Sequence, residues 1–372
     1  SAELDLIQAP DIYYSVILGG NSFFSDPRTA AAAKGKTPGD TDWMRAVDEN
    51  TDVDALMQRT LGSGASGIKI YADVPAATVK KLAAAAKRAG LKVWSHAYIG
   101  PDKPSAVVDA GVEVISHVPD LSAEVISDYK AWRRKNAEID GAVKTASFDA
   151  ARYTELLKSI KQHNTILDVT LTVFEQHRNQ GPNREVMFQH GVFLTKLARE
   201  FGITLAAGTD AFDDTAALPM LHHELRLLTE LGGLTPAQAV QAATLNSAKA
   251  IGIDKDVGTV VAGKKANLLV LNTNPLDDIR RSSDIAHVIK NGRFVYRGDD
   301  ERLPFSAARE AGGMLWLSGQ IGNFPGTMTL AGNDITSQMT QAMDNIMAVL
   351  QQHHLTTKDI TKCILMLADI KD

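Results

Sequence analysis

The chain has 372 residues and a mass of 40.1 kDa, beyond the usual size of one domain, so one large barrel or several domains are expected. Hydrophobic residues make up 44% and charged residues 22%, which excludes disorder as the main state. Lys plus Arg is 39 against 44 Asp plus Glu; with a net charge of −5 the chain lacks the basic surplus that nucleic acid or an anionic membrane surface demands.

No apolar run is long enough to span a bilayer. The single cysteine, Cys363, excludes an intramolecular disulfide and a cysteine-built zinc site. The chain opens Ser-Ala-Glu-Leu-Asp, without Met or a basic-then-apolar signal segment, which reads as a processed start or a fragment and sets no compartment.

Strands are expected at Ile12–Gly20, Gly67–Asp73, Leu91–Tyr98, Val112–Val118, Thr165–Val173 and Ile203–Ala211. They are rich in Ile, Val and Tyr, and several are apolar on both faces, as buried parallel strands are. Helical patterns separate them, for example Ala76–Ala89, which Gly90 closes as a C-terminal cap. Repeated strand–helix units argue for a parallel α/β fold, with six units visible, two short of a closed eight-fold barrel. A doubly wound open sheet is the alternative, weakened because no Gly-x-Gly-x-x-Gly loop follows any strand.

Two further helices, about 217–231 and 235–251, precede a change of texture. Val257–Val261, Asn267–Leu271, His287–Lys290 and Arg293–Arg297 read as short strands between Gly or Asn-Gly turns, a small β unit. Residues 298–302 form a polar linker. Beyond it Met314–Gly322 reads as a strand, Asp334–His353 as an amphipathic helix and Ile360–Ile370 as a final strand. The expected division is a barrel over 1–256, a β-sandwich segment over 257–297, the linker, and a last domain over 303–372.

Four polar residues stand at C-terminal ends of the expected barrel strands, where packing does not explain them: Lys69, His96, His117 and Asp210. That end of a barrel is its active-site mouth. Two neutral imidazoles and a carboxylate from separate strands suit a divalent metal. An ammonium repels a cation, but a lysine carboxylated by CO2 becomes an anionic oxygen ligand able to bridge two metals. The structural alternatives are hydrogen-bonded core histidines and, for Lys69, an ion pair at the barrel mouth. His222, in Leu-His-His-Glu-Leu, reads as a helix-surface residue and stays outside the metal set.

The stretch from Gly67 to Arg297 resembles the metal-dependent amidohydrolases, specifically the imidazolonepropionase-like and Xaa-Pro-dipeptidase-like branch. The motifs are Gly67-Ile-Lys-Ile70, Ser95-His96, Ser116-His117, Gly208-Thr-Asp210, the run from Leu234 to Gly252, and the run from Gly258 to Leu276. The resemblance implies a (β/α)8 TIM-like barrel lacking its first strands here, with a small β-sandwich remnant. It implies one or two divalent ions, zinc first among them, with Lys69 as the carboxylated bridging ligand and His96 and His117 holding the second metal. Asp210 would ligate the first metal and shuttle protons in hydrolysis of an amide, cyclic amide or peptide-like C–N bond of a small molecule.

The departure is a His-x-His pair that the family places at the end of barrel strand 1; none occurs in this chain, whose adjacent histidine pairs are His222–His223 and His353–His354. The expectation is therefore a chain that opens near strand 3 and lacks about a hundred N-terminal residues of such a protein.

The last seventy residues resemble RidA-type (YjgF) enamine/imine deaminases, through Leu303-Pro-Phe-Ser306, Leu315–Gly322, the helix around Gln338–Leu350 and Asp359–Asp369. The resemblance covers about the first half to two thirds of such an α+β domain and implies a homo-oligomer. Phe305 stands where a Tyr is common, and no catalytic residue is assigned here. A non-catalytic barrel with a RidA-like assembly or imine-deaminase module is the alternative function, and an isomerase or deaminase on the same barrel is indistinguishable from a hydrolase at this stage.

Overall fold

The structure, a computed structural model, describes residues 10–135, 138–210, 219–297, 308–325 and 329–364. The chain divides into a unit of residues 12–284 and a second unit of residues 1–11 with 285–372. The division falls inside the segment read as one β-sandwich piece.

In the first unit seven parallel strands form one sheet: β1 (Ser15–Gly19), β2 (Met44–Ala46), β3 (Gly67–Ala72), β4 (Lys92–His96), β5 (Val114–Ser116), β6 (Ile166–Asp168) and β7 (Leu205–Ala206). Their order is β2-β1-β3-β4-β5-β6-β7. From β3 onward each strand pairs with the next in sequence, the winding of a barrel wall, whereas β2 lies on the far side of β1, so the order reverses once, between β1 and β3. All six expected strands are present. The three-residue β2, which pairs beside β1, had no sequence signal.

Crossover helices cover the outer face. The helix Val53–Gly62 starts on Asp52, whose carboxylate accepts from the Ala55 amide, and Thr235 forms a capping box with Gln238 at the head of Pro236–Gln241. Ala76–Arg88 carries Lys87 and Arg88 in its last turn, where they complement the helix dipole. Apolar residues of the strands (Leu18, Ile68, Ile70, Val93, Ile115, Leu167) and of the helices (Leu82, Leu157, Ile160, Leu194) share one core. Burying each such side chain contributes about 1.5–3 kcal/mol before entropy is counted.

The helix pair expected near 217–231 and 235–251 is observed as Leu221–Glu230 and as Pro236–Ile251 with a π-helical turn at Ala242–Asn246. Val257–Val261 is not a strand. Gly258 has φ +89° with Ala248 and Leu245 packed against it, and Val260 is 85% exposed, so this segment turns rather than extends. Leu268–Leu271 forms β8 as expected.

In the second unit β9 (Ile285–Lys290) and β10 (Arg293–Arg297) form an antiparallel hairpin about Asn291-Gly292, both at positive φ. β11 (Ala308–Ala311) pairs antiparallel with β12 (Met314–Leu317). The expected strand Met314–Gly322 therefore ends at Leu317. The helix Ile335–Gln352 is capped by Asp334, and Asn345 ties it to the carbonyls of Ile321 and Asn323. Residues 360–364 are not in a strand; the rest of the expected terminal strand, the linker at 298–302 and the Leu303–Ser306 motif lie outside the described residues.

Candidate active site at the C-terminal ends of the parallel strands

Register brings the polar residues to one edge of the sheet. His96 pairs with Ser116, Ser116 with Asp168, and Asp168 with Ala206, so one row crosses β4 to β7 at their C-terminal ends. Lys69 lies on the adjoining strand β3, opposite Trp94.

Lys69 Nζ donates to Ser116 Oγ at 2.7 Å. Burial pushes its pKa down, opposed by the charges of Asp168 and Asp210. The Ser116 hydroxyl also bonds the Asp168 carboxylate. Burial nonetheless raises the Asp168 pKa, with Lys69 pulling it back. Gly208 explains itself here: a Cβ at 208 would fall 2.1 Å from Asp168 Oδ1. Gly67 is equally constrained, since a Cβ there would meet the Lys92 carbonyl oxygen and the Trp94 ring at 2.4 Å.

The rings of His96 and His117 lie 4.7 Å apart, and His96 stacks obliquely on Tyr71 at 4.0 Å. Burial drives both imidazoles well below their usual pKa, with the charge of Lys69 adding to the shift, so both are neutral at pH 7. His117 Nδ1 is 2.9 Å from Thr170 Oγ1, which fixes the ring plane. On the other side of the ring, His117 Nε2 is 3.7 Å from Asp210 Oδ2. Asp210 is 60% exposed and adopts a left-handed conformation (φ +46°); burial raises its pKa, against Lys69 and His177.

Support comes from behind the row. Buried Glu224 accepts hydrogen bonds from the amides of Leu171 and Thr172 and from the Thr172 hydroxyl, holding the start of the helix Leu171–His177 beside Thr170. Burial raises its pKa to about 7.

All four sequence candidates are thus at the mouth. Ser116 binds Lys69, the two imidazoles touch, and Asp210 faces His117. Sequence reasoning passed over Asp168 and Thr170, although Asp168 is a polar residue closing an apolar strand, the same signal that marked the other four. His222 lies in the helix Leu221–Glu230, half-buried, its Nδ1 3.1 Å from Ser282 Oγ.

Two neutral imidazoles and a nearby carboxylate fit the donor chemistry of a divalent cation. Among the described residues, however, no three His, Cys, Asp or Glu side chains form a set that could hold one. The donors fit as a pair with an adjacent carboxylate, which is a partial site.

The amidohydrolase family model matches residues 28–295. The chain belongs to the amidohydrolase family. Among its members the chain is 32% identical over 142 residues to a 5-methylthioadenosine/S-adenosylhomocysteine deaminase of Moorella thermoacetica, covering 33% of each protein. It is 34% identical over 114 residues to an ochratoxinase of Aspergillus niger (28% of this chain, 23% of that one). It is 30% identical over 110 residues to an imidazolonepropionase of Shewanella baltica (27% and 26%). These matches span only about a quarter to a third of the relatives' own lengths.

Solved structures extend the likeness in fold. The A. niger ochratoxinase superposes with a TM-score of 0.60 at 19% identity, over 82% of this chain and 70% of that one. A Xaa-Pro dipeptidase with bound methionine gives 0.57 at 21% identity, over 80% and 70%. Residues 300–372 match the Endoribonuclease L-PSP family model, in the segment whose motifs are RidA-like.

Proposed function

We propose that this amidohydrolase chain supplies part of the active site of a divalent-metal-dependent hydrolase of C–N bonds, acting on an amide, cyclic amide or peptide-like bond of a small molecule. The observation that carries the reading is the strand-end row in which two neutral imidazoles touch and Asp210 stands 3.7 Å from one of them. His96 and His117 would hold the cation, zinc in this reading, with Asp210 and a carboxylated Lys69 as anionic donors. When bound, such an ion supplies a Lewis acid that polarises the scissile carbonyl and acidifies water.

The chain's own groups do the rest. Asp210 is open to solvent and shifted toward neutrality, so it can take a proton from the attacking water and deliver it to the leaving nitrogen. Burial favours the neutral amine of Lys69, the form that adds CO2 to give a carbamate and release a proton. Ser116 and Asp168 hold that side chain in place, and Thr170 sets the His117 ring. The His-x-His pair that the family resemblance calls for is not in these 372 residues, so the complete site needs a strand from elsewhere. In a polypeptide that also carries that strand, Lys69→Ala or Asp210→Ala should abolish hydrolysis; wild-type-like turnover in either variant overturns the reading.

One observation favours a second reading, in which the barrel unit binds without catalysing and residues 300–372 act as an assembly or imine-deaminase module. It is the lack, among the described residues, of three metal-ligating side chains in one set. A strict monomer by light scattering at micromolar concentration would remove the assembly role.

A further inference from the structure

Past the ends of β5, β6 and β7, three residues other than glycine adopt a left-handed backbone: His117 (φ +72°), Thr170 (φ +60°) and Asp210 (φ +46°). Thr170 is the most strained of them, because a β-branched side chain is crowded there. Such a conformation costs on the order of 1–3 kcal/mol and survives only where the surroundings impose it. His117 is fixed by its own strand end: its amide donates to the Asp168 carbonyl at 3.0 Å, and its carbonyl accepts from the Asp120 amide at 2.9 Å. Thr170 is fixed from a distance.

Thr170 (φ +60°, ψ +43°) is followed by Leu171 in helical backbone. A left-handed residue before a right-handed one turns successive amides toward one point, a concavity that suits an anion. The anion comes from the chain itself. The Leu171 amide donates to Glu224 Oε1 at 2.9 Å, the Thr172 amide to Oε2 at 2.7 Å and the Thr172 hydroxyl to Oε2 at 2.6 Å. Helices are ordinarily capped by a small polar side chain of the residue that starts them. A carboxylate brought from 53 residues away and wholly buried is a costlier device, and it grips both amides at once. The Thr170 hydroxyl in turn lies 2.9 Å from His117 Nδ1, and both residues are buried, so losing this contact strands two polar atoms away from water.

We propose that Glu224 is a positioning residue for His117: its carboxylate fills the concavity at Leu171 and Thr172, holds Thr170 left-handed, and so fixes the imidazole through the Thr170 hydroxyl. Without the anion, Thr170 returns to an ordinary backbone conformation and its hydroxyl leaves the ring. The catalytic consequence rests on the hydrolase reading of this cleft; the positioning does not.

The test is a double-mutant cycle read from the ring nitrogens of the full chain labelled with nitrogen-15 histidine. Spectra are taken at pH 8, above the value of about 7 to which burial raises Glu224. His117→Asn assigns the His117 signals. Glu224→Gln keeps the side chain's size but replaces one accepting oxygen with a donor. It should move the His117 signals, and Thr170→Ala should move them too. In the Thr170→Ala background Glu224→Gln should add nothing, because the route from Glu224 to the ring is already cut. His190, buried in the same unit, should keep its signals in every variant, which a general loosening of that unit would not allow. Where the Gln variant does not fold, Glu224→Asp, one methylene short of the amides, takes its place.

His117 signals that stay in place, that move equally with and without the Thr170 hydroxyl, or that move together with those of His190 would each overturn the proposal. Hydrolysis is scored separately, in the polypeptide carrying the His-x-His strand, where Glu224→Gln should lower kcat roughly tenfold to a hundredfold with KM little changed. The expected cycle without any hydrolysis by that polypeptide sinks the hydrolase reading and leaves the positioning standing. Wild-type turnover in Glu224→Gln with unmoved His117 signals does the reverse.

Discussion

Between residues 12 and 284, Leu82, Leu157, Ile160 and Leu194 are wholly withdrawn from water. Between 285 and 364, Trp316 keeps 60% of its surface in solvent and Ile364 68%, and among the described residues Val349 and Leu350 are the buried large apolar side chains. Both regions carry clear apolar periodicity. What differs is the number of layers: the parallel strands of the first unit bury one face under helices, as the alternation of buried and half-buried residues along Lys92–His96 shows. The β11–β12 pair is a two-stranded ribbon, and the described part of its unit offers a single long helix, too little to enclose two faces. An apolar pattern becomes a core only where a second layer meets it.

The largest expected effect follows directly. Leu157→Ala should destabilise the first unit by about 3–4 kcal/mol in urea unfolding, since the residue has no exposure and a rigid surround. A loss below about 1 kcal/mol would mean that this core relaxes as freely as the exposed unit.

Buried titratable groups offer a sharper probe, because only an enclosing core shifts them. His190 is fully buried against Phe148 and Ser147, and burial lowers its pKa to about 3. The unfolded chain takes up that proton near pH 6.5 and the folded chain does not. Stability is therefore complete above pH 6.5 and falls as pH drops toward 3, by about 3 kcal/mol between pH 7 and 4. His190→Asn should flatten that slope.

Glu224 works in the opposite sense. Its folded pKa of about 7 exceeds the unfolded value of about 4.5. Its contribution is complete below pH 4.5 and is lost as pH rises through 7, by about 2–3 kcal/mol. Unfolding curves of Glu224→Gln taken from pH 5 to 8 should lack this component, and an unchanged profile would show that the three donors to its carboxylate outweigh burial.

Gly208→Ala forces a methyl group into Asp168 and should cost about 1–3 kcal/mol, as overpacking does. It should also displace the Asp168 carboxylate that Ser116 holds. The smallest effect belongs to the other unit, where Trp316→Ser should change stability by less than about 0.5 kcal/mol. A larger loss there would mean that the ribbon is covered in solution.

The six main strands, the barrel winding and the long amphipathic helix at Ile335–Gln352 were legible in the sequence. So were Lys69, His96, His117 and Asp210, because a polar residue that closes an apolar strand is conspicuous. The three-residue β2 was not legible, since Met44-Arg-Ala46 is too short to carry a period and pairs only because Ile17 and Leu18 lie beside it. Val257–Val261 misled through its β-branched residues, which a positive φ at Gly258 turns outward.

The linear order of residues determined the fold class and the types of group at the mouth, through periodicity that any local window can show. Tertiary structure alone decided which of those groups meet: Lys69 with Ser116 across 47 positions, His117 with Thr170 across 53, and Thr172 with the buried Glu224. Strand register and helix docking set those distances, and both depend on the whole layer closing at once. Burial then assigned the charge states, holding two histidines neutral and raising two carboxylates. No residue carries its own desolvation in its name.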